Sequence, residues 1–257
     1  MKNLANEIVN WLGEYASKNN RKSFVIGVSG GIDSALVSTL CARTYFPTYC
    51  VVLPCKSKDD ELSRADRHIG WLQKSWGNVH GLNINLTHTF EIFKDCLPNY
   101  LYNNLAFANT KSRLRMIALY QIATCYSGLV VGTGNKVEDY GVGFFTKHGD
   151  GGVDISPIGD LTKTEVRLMS KELGINEEIL TVAPTDGLWD DARTDESQLG
   201  ATYEELEWAM DFLDKKPSFY IQGSLTNRQQ EVLDIYNRWH NAGAHKLAPI
   251  PMFKRKE

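Results

Sequence analysis

The sequence predicts an α/β fold of three layers, in which helices cover both faces of a parallel, doubly wound sheet of about five strands. Short runs rich in Val, Ile and aromatic residues alternate with longer amphipathic stretches along the first half of the chain. Strands and helices that alternate in this way, joined by right-handed crossovers, form a parallel sheet. Hydrophobic residues make up 42% of the 257 residues, which is enough for a sizeable core.

Local patterns place the individual elements. The first stretch, MKNLANEIVNWLGEYASKN, is amphipathic and predicts a helix. The predicted strands are 24–28, 49–53, 79–82 and 129–131, and the further predicted helices are 34–44, 59–74, 87–95, 99–126, 163–173, 203–213 and 228–241. The proline-containing tail AGAHKLAPIPMFKRKE is predicted to be extended.

Composition argues against several classes of protein. The formal net charge of −3 and the pI near 6.1 give no general attraction for nucleic acid. The sequence shows no long apolar run and no signal peptide, so we expect a cytoplasmic protein with no membrane partner. Five scattered cysteines without a Cys-x-x-Cys pair indicate reduced thiols and no zinc site. No repeat or linker divides the chain, so residues 1–257 are predicted to form one domain.

The stretch FVIGVSGGIDS carries the strongest functional signal. An apolar strand runs into Ser29-Gly30-Gly31, and a helix is predicted to begin near Asp33. Glycines let the backbone approach an anion, and the N–H groups of a helix N-terminus favour a phosphate there. The stretch has neither Gly-x-x-x-x-Gly-Lys-Ser/Thr nor Gly-x-Gly-x-x-Gly, so it is a different phosphate-binding turn. The alternative is a structural turn in which Asp33 and Ser34 only cap the helix.

A second small-residue turn, Gly132-Thr133-Gly134, follows the last predicted strand. Because carboxyl ends of parallel strands meet at one edge of a sheet, the two turns are predicted to share a ligand. The alternative is a plain turn. Residues 135–166 alternate Gly, Asp, Thr and Lys with apolar runs too short to be elements. We interpret them as an irregular binding segment, with a solvated excursion as the alternative.

A lysine stands at the start of a later helix. Thr162 and Glu165 have the spacing of a capping box, and Gly174 is the expected end of the helix. Lys163 therefore lies where a positive charge opposes the helix dipole. This position indicates an anionic ligand nearby.

Several motifs together resemble the ammonia-dependent NAD synthetases, a branch of the ATP pyrophosphatases. The resemblance covers nearly the whole chain and rests on SGGIDS, NTKSRLRM from Asn109, VVGTGNKVED, FFTKHGDGGVDISP, LTKTE, APTDGLWD and the terminal His245-Lys246. It implies that ATP, with Mg²⁺, activates deamido-NAD as an acyl-adenylate, which ammonia converts to NAD. Pyrophosphate and AMP are released. Such chemistry needs alignment and charge stabilisation rather than a protein nucleophile.

The resemblance also implies roles for individual residues. Matching the family's ATP contacts are Gly27, Val28, Ser29, Gly30, Gly31, Ile32, Asp33, Ser34, Thr133, Lys163 and Thr185. Matching its deamido-NAD contacts are Arg113, Lys147, Asp154, His245 and Lys246, and the expected catalytic residues are Asp33, Lys163 and Asp154. The expected Mg²⁺ ligands are Asp33 and Glu138. The interval from Glu138 to Phe144 is one residue longer than in some relatives, so Asp139 is the alternative ligand.

The remaining expectations concern the nitrogen source, the oligomer and the loops. No cysteine lies in an activated setting, which predicts free ammonia as the donor and no fused glutaminase domain. Asp150 or Asp154 is expected to accept the proton of ammonium. The long helical stretch 99–126 and the resemblance imply a homodimer with the dinucleotide site at the interface. The loops near Lys147 and Asp186 are predicted to close as lids.

Two rival functions stay open. Another adenylating ATP pyrophosphatase, of the tRNA-modifying type, would show a catalytic cysteine pair or a basic RNA-binding region, and the sequence shows neither. A nucleotide-binding regulatory protein without catalysis would not need an intact Asp33, Glu138 and Lys163.

Overall fold

The computed structural model contains a sheet of four parallel strands and describes residues 1–185, 187–189, 193–215 and 225–255. The strands are β1 (Ser23–Gly27), β2 (Thr48–Val52), β3 (Val79–Asn83) and β4 (Gly128–Val130). Their order in the sheet is β3-β2-β1-β4. Because β1 pairs with β4, the two turns that follow these strands leave the same edge of the sheet. The predicted parallel sheet is confirmed.

The described residues form four strands, where the sequence predicts about five. Beyond β4 the chain returns beside the sheet, but Ile155 forms only a single parallel bridge with Val131. The Gly132 N–H donates to the Ile155 carbonyl at 2.7 Å. Pro157 follows two residues later and has no N–H with which to extend a ladder. The returning segment therefore stays a bridge rather than a strand.

Helices cover both faces of the sheet. They are α1 (Lys2–Lys18), α2 (Ile32–Ala42), α3 (Asp59–Ser75), α4 (Thr87–Asp95), α5 (Asn104–Cys125), α6 (Lys163–Glu172), α7 (Glu177–Leu180), α8 (Asp195–Leu199), α9 (Tyr203–Lys215) and α10 (Asn227–Leu247), with a 3₁₀ turn at Asn99–Leu101. Phe24 and Ile26 share a core cluster with α1, α2 and α6, whereas Val25 shares one with α4 and α5. Since alternate residues of a strand face opposite sides, the predicted three-layer arrangement is confirmed.

A further apolar cluster joins α9 and α10 to a π-helix at Lys136–Val142. This element corrects the prediction that residues 135–166 contain no regular structure. A π-helix closes its hydrogen bonds over one residue more than an α-helix. This π-helix carries Glu138 and Asp139, the two candidate metal ligands.

The last helix is longer than predicted, and the prediction of an extended tail is wrong as far as Leu247. Gly243 does not break α10 but lets it pack closely, since a Cβ atom there would lie 2.9 Å from the Cα atom of Gly143. His245 and Lys246 consequently lie in the last helical turn. In the described ranges, no helix is long and apolar enough to cross a membrane.

Candidate active site

The turn after β1 is held closed by its own serines. The Ser34 hydroxyl accepts a hydrogen bond from the Ser29 N–H at 3.2 Å and donates to the Gly31 carbonyl at 3.0 Å. The Ser29 hydroxyl accepts from the Gly31 N–H at 3.2 Å. Gly30 has a φ of +84°, and a Cβ atom there would lie 2.5 Å from the Glu61 carbonyl oxygen. Only glycine fits this position, so the turn has a fixed shape at the head of α2.

Helix α3 packs behind this turn and brings Thr185 to it. The Arg64 Nε donates to the Gly30 carbonyl at 3.4 Å, and the Thr185 hydroxyl donates to the Glu61 carboxylate at 3.3 Å. Thr185, a predicted ATP contact, therefore lies beside the predicted phosphate turn. Asp186 falls outside the described residues, so the predicted closure of its loop stays a prediction.

Lys163 is buried at the start of α6 and holds two carboxylates. Its side chain is 1% exposed, and its Nζ lies 2.6 Å from Asp33 Oδ2 and 2.9 Å from Glu138 Oε1. The Thr162 capping box starts the helix as predicted. The anions that offset the unfavourable position of this lysine thus include two carboxylates of the chain itself. They come from the head of α2 and from the π-helix, so three distant sequence motifs meet here.

The electrostatics of this group are set by burial and by mutual pairing. Burial alone would lower the pKa of Lys163, but the charges of Asp33 and Glu138 outweigh it and hold that pKa above its ordinary value. Burial raises the pKa of Asp33 despite Lys163. For Glu138, Lys163 and the Tyr203 hydroxyl outweigh burial and lower the pKa. Two carboxylates share one ammonium group, which leaves the site suited to a further positive charge.

Tyr203, at the start of α9, completes the group and was not predicted as a site residue. Its hydroxyl donates to Glu138 Oε1 at 2.5 Å, and its ring lies 4.7 Å from Lys163 Nζ. The same hydroxyl lies 3.3 Å from Asp195 Oδ2. We call Lys163, Asp33, Glu138 and Tyr203 the lysine–carboxylate cluster. A tyrosine in an amphipathic helix gives no sequence signal that separates it from a core residue.

Asn135 links the second turn to the first. Its side-chain oxygen accepts from the Val137 and Glu138 N–H groups, both at 3.1 Å, and its Nδ2 donates to Asp33 Oδ1 at 3.2 Å. Sequence reasoning did not single it out, although Asn is a favoured N-cap residue. Thr133 lies two residues before it, in the turn predicted to share the ligand. The two turns are therefore joined by a direct hydrogen bond.

Asp139, the alternative metal ligand, does not join the ion pairs of Lys163. A Cβ atom at Gly134 would lie 1.9 Å from Asp139 Oδ2, so the carboxyl group packs directly on that turn. Desolvation, together with the negative charge of Glu138 and other carboxylates, raises the pKa of Asp139 well above its ordinary value. Within the described ranges, no group of three or more His, Cys, Asp or Glu side chains is arranged to hold a metal.

Four of the five predicted deamido-NAD contacts meet near the end of α10. The Arg113 Nε donates to the Lys147 carbonyl at 3.2 Å, and the Lys147 Nζ donates to the His245 carbonyl at 3.2 Å. The Lys246 Nζ donates to the Phe145 carbonyl at 2.8 Å and also to the Gly143 carbonyl. We call Arg113, Lys147, His245 and Lys246 the basic cluster. None of its members forms an ion pair with a carboxylate of the described residues.

Asp150 fixes the loop beside the basic cluster to α5. Its Oδ1 accepts from the Ser112 hydroxyl at 2.6 Å and from the Thr146 N–H at 3.1 Å. Desolvation raises the pKa of Asp150. Its negative charge also acts to raise the pKa values of Lys246 and Asp139. Of the two predicted proton acceptors, Asp150 is thus the one hydrogen-bonded to the loop that precedes Lys147.

Asp154 has hydrogen-bond partners outside both clusters. Its Oδ2 accepts from the Val130 N–H at 2.8 Å, and its Oδ1 accepts from the Tyr120 hydroxyl at 3.0 Å. Burial and the charge of Asp154 raise the pKa of Tyr120 to about 12. In this structure Asp154 secures the end of β4, and no hydrogen bond or ion pair among the described residues joins it to Lys163 or to Lys246.

The fold and the joined turns define a class of nucleotide-binding α/β enzyme, in which a glycine turn at the carboxyl end of a parallel strand meets a lysine and carboxylates. The sequence matches the NAD synthase family over residues 4–249, and the chain belongs to this family.

Known proteins resemble it over nearly their full length. The NH3-dependent NAD(+) synthetase of Carboxydothermus hydrogenoformans is 40% identical over 253 residues, with 96% of each chain covered. Among solved structures, the NMN synthetase from Francisella tularensis matches with a TM-score of 0.84 and 34% identity, covering 98% of both chains. The NH3-dependent NAD synthetase from Campylobacter jejuni matches with a TM-score of 0.80 and 22% identity, again covering 98% of both chains, which bears on the fold alone.

Proposed function

We propose that this chain is an ammonia-dependent NAD⁺ synthetase, which amidates deamido-NAD in the last step of NAD biosynthesis. ATP adenylates the nicotinate carboxylate and releases pyrophosphate, and ammonia then displaces AMP to form the amide. The observation that carries the proposal is Lys163, buried at the joined turns with Asp33 and Glu138. Family membership and the relatives named above support it, and they do not favour an RNA-modifying enzyme.

The proposed ATP site lies on the turn after β1, with Thr133, Thr185 and Lys163 around it. Backbone N–H groups at the head of α2 receive the phosphates. Lys163 then spreads charge from the leaving pyrophosphate, in a setting where burial strengthens the interaction. Tyr203 and Asn135 keep the two carboxylates in place beside the lysine.

The two carboxylates fit Mg²⁺. This ion prefers carboxylate and phosphate oxygens and is commonly held by one or two carboxylates together with substrate phosphates. Asp33 and Glu138 supply two such groups for a single lysine. Mg²⁺, when bound, neutralises phosphate charge. We propose Asp33 and Glu138 as the protein ligands in preference to Asp139, because both of them form ion pairs with Lys163 and Asp139 does not.

Substitutions distinguish the proposed Mg²⁺ ligands from Asp139. Asp33→Asn and Glu138→Gln are expected to abolish turnover while changing the Kd for deamido-NAD by less than about threefold, because the carboxylates act at the phosphates. Asp139→Asn is the matched control and should retain Mg²⁺-dependent pyrophosphate release. If Mg²⁺-dependent pyrophosphate release were lost only in Asp139→Asn, Asp139 would be the Mg²⁺ ligand instead.

The basic cluster is the proposed site of deamido-NAD. Arg113, Lys147 and Lys246 present cationic donors that are bonded to neutral carbonyls. Carboxylate and phosphate groups of the dinucleotide make stronger, charge-assisted hydrogen bonds with such donors. Asp154 was also predicted as a contact and as a catalytic residue. It keeps that role only as a proposal, since its present partners are Tyr120 and Val130.

Free ammonia is the proposed nitrogen source. Using glutamine requires an activated thiolate, and burial raises the pKa of Cys41, Cys50 and Cys55. We propose Asp150 rather than Asp154 as the group that accepts the ammonium proton, because Asp150 lies by the basic cluster. The 257 residues are then one synthetase domain, and the proposed location is the cytoplasm.

Product analysis tests the reaction. The protein should form NAD from deamido-NAD, ATP and ammonium chloride, with a rate that rises toward about pH 8–9 as the free ammonia fraction increases. Pyrophosphate release should require deamido-NAD. Comparable NAD formation from ammonia-free glutamine would refute ammonia dependence.

A homodimer with the dinucleotide site at its interface is also proposed. Helix α5 has 22 residues and exposes Leu105 and Ile117 to 59% and 67%, and Tyr100 just before it is 85% exposed. Apolar side chains left open in this way are typical of a surface that another chain covers. Sedimentation should show a dimer at assay concentration. An active monomer would remove the proposal.

A second candidate function is amidation of the mononucleotide, since the solved structure with 34% identity is described as an NMN synthetase. Both reactions would use the same lysine–carboxylate cluster. Comparing kcat/KM for deamido-NAD and for nicotinic acid mononucleotide distinguishes them. We expect deamido-NAD to be preferred, and a preference for the mononucleotide would replace the first proposal.

A further inference from the structure

A buried histidine lies behind the phosphate turn, between α2 and α3. His68 is 2% exposed, and its Nε2 lies 2.9 Å from the hydroxyl of Ser38, which is fully buried. Its other ring nitrogen, Nδ1, is buried and has no hydrogen-bond partner among the described residues. Neither the sequence motifs nor the proposed chemistry uses this side chain.

The surroundings of Ser38 assign the direction of the hydrogen bond. Two carbonyl oxygens, which can only accept, lie near the Ser38 hydroxyl, that of Ser34 at 2.7 Å and that of Ala35 at 3.1 Å. We assign the hydroxyl proton to the Ser34 carbonyl, so the Ser38 oxygen accepts from the Nε2–H of His68. Burial lowers the pKa of His68 to about 4, so the ring is neutral in ordinary buffers.

The unpaired Nδ1 makes this histidine a costly choice for packing alone. A buried acceptor without a partner destabilises a protein, and an apolar residue of similar size would avoid that cost. What the imidazole adds at this position is polar contact with α2, through Nε2 to Ser38 and through an interaction with the Ala35 backbone.

Both partners of this hydrogen bond belong to elements that clamp the phosphate turn. Ser38 is one helical turn after Ser34, whose hydroxyl receives the Ser29 N–H. On α3, Arg64 and Ala65 precede His68 by about one turn. A Cβ atom at Gly30 would lie 3.2 Å from atoms of each of them. The hydrogen bond between His68 and Ser38 thus joins the two helices that hold the turn.

We propose that His68 is a positioning residue for ATP. It donates from Nε2 to Ser38 and thereby keeps the turn of Ser29, Gly30 and Gly31 in the shape that receives the phosphates. This inference rests on the proposed function, because that function assigns ATP to the turn.

Three variants of His68 test the role. The amide nitrogen of Gln is as many bonds from Cβ as Nε2 is, whereas the amide nitrogen of Asn reaches only the position of Nδ1. His68→Leu and His68→Asn should raise the KM and Kd for ATP about three- to tenfold, which is the effect of one lost hydrogen bond. His68→Gln should stay within about twofold of the wild type, and the KM for deamido-NAD should change less than about twofold in all three.

Thermal unfolding of the same proteins provides the second readout. His68→Leu removes the unpaired acceptor, so we expect a Tm at or above that of the wild type together with weaker ATP binding. A merely structural role predicts the opposite, with ATP binding falling only as stability falls and with no rescue by Gln, and that pattern would overturn the inference. Equal ATP binding by all variants and the wild type would also overturn it. Wild-type protein that binds no ATP in the presence of Mg²⁺ would instead overturn the proposed function on which the inference rests.

Discussion

The lysine–carboxylate cluster and the basic cluster use cationic side chains in opposite ways. Lys163 is buried, and both of its close partners are carboxylates. Lys246 is half-buried and donates to carbonyl oxygens, while Lys147 is also bonded to a carbonyl. The first cluster pairs its charge within the protein, and the second keeps positive charge that neutral groups only partly satisfy.

The difference is visible in the two lysine pKa values. Burial acts to lower both, but in Lys163 the two carboxylates outweigh it and the pKa is raised. In Lys246 desolvation prevails over the negative charges of Asp150 and Asp139, and the pKa is lowered. A preorganised cluster suits the phosphates that react, whereas an underpaired cluster suits a substrate that must bind and leave.

The largest effect is expected from replacing the lysine of the lysine–carboxylate cluster. Lys163→Met should lower turnover by about a thousandfold or more, because the pyrophosphate loses its buried cation. It should also lower the free energy of unfolding by about 3–5 kcal/mol, because two buried carboxylates lose their counter-charge. Pyrophosphate release and urea unfolding measure the two effects. Lys171→Met, on the exposed side of the same helix, is the matched control, and equal behaviour of the two variants would contradict this account.

A smaller effect is expected from the tyrosine of that cluster. Tyr203→Phe removes the hydroxyl that bonds to Glu138 but keeps the ring beside Lys163. We expect kcat to fall about tenfold, with the KM for deamido-NAD changed less than about twofold. Tyr140→Phe, at a half-exposed position, should leave kcat unchanged. Steady-state kinetics with each substrate varied in turn measure these parameters. A larger change in the KM for deamido-NAD would argue against separate roles for the two clusters.

How far the sequence predicts these clusters depends on how local their signals are. The strand-to-helix turn at Ser29 and the capping box before Lys163 each span only a few residues, and the sequence predicts both. The meeting of Asp33 with Glu138 depends on strand pairing between β1 and β4. It was expected from the family resemblance and from the rule that ligands bind at the carboxyl ends of strands.

Other features had no local signal. Tyr203 sits in an ordinary amphipathic helix, and only tertiary packing turns its hydroxyl toward Glu138. The π-helix at Lys136–Val142 closes its hydrogen bonds over one residue more than an α-helix, and a search for α-helical periodicity does not detect it. The prolines of the tail predict an extended chain, but α10 continues to Leu247, and Gly243 within it permits contact with Gly143. All three features depend on contacts between residues that are far apart in the sequence.

Replacing a lysine of the basic cluster should act on one substrate only. Lys246→Gln is expected to raise the KM for deamido-NAD about tenfold, since one charge-assisted contact is lost, and to leave the KM for ATP within about twofold. Lys254→Gln, an exposed change beyond α10, is the control. Kinetics with each substrate varied in turn would contradict the assignment if the KM for ATP rose equally.

The opposite pKa shifts of the two lysines give the smallest effect and the most direct test of the comparison. As pH rises, Lys246 loses its proton below the ordinary lysine pKa, because its folded-state pKa is lowered. Lys163 stays charged through the same interval, because its pKa is raised. The Kd for deamido-NAD should therefore increase about two- to threefold between pH 8 and 10, whereas the Kd for ATP should stay nearly constant. Equilibrium binding, rather than turnover, avoids the simultaneous change in free ammonia. Lys246→Arg keeps its charge at these pH values and should remove the rise, and a rise that persists in this variant would mean that another group titrates.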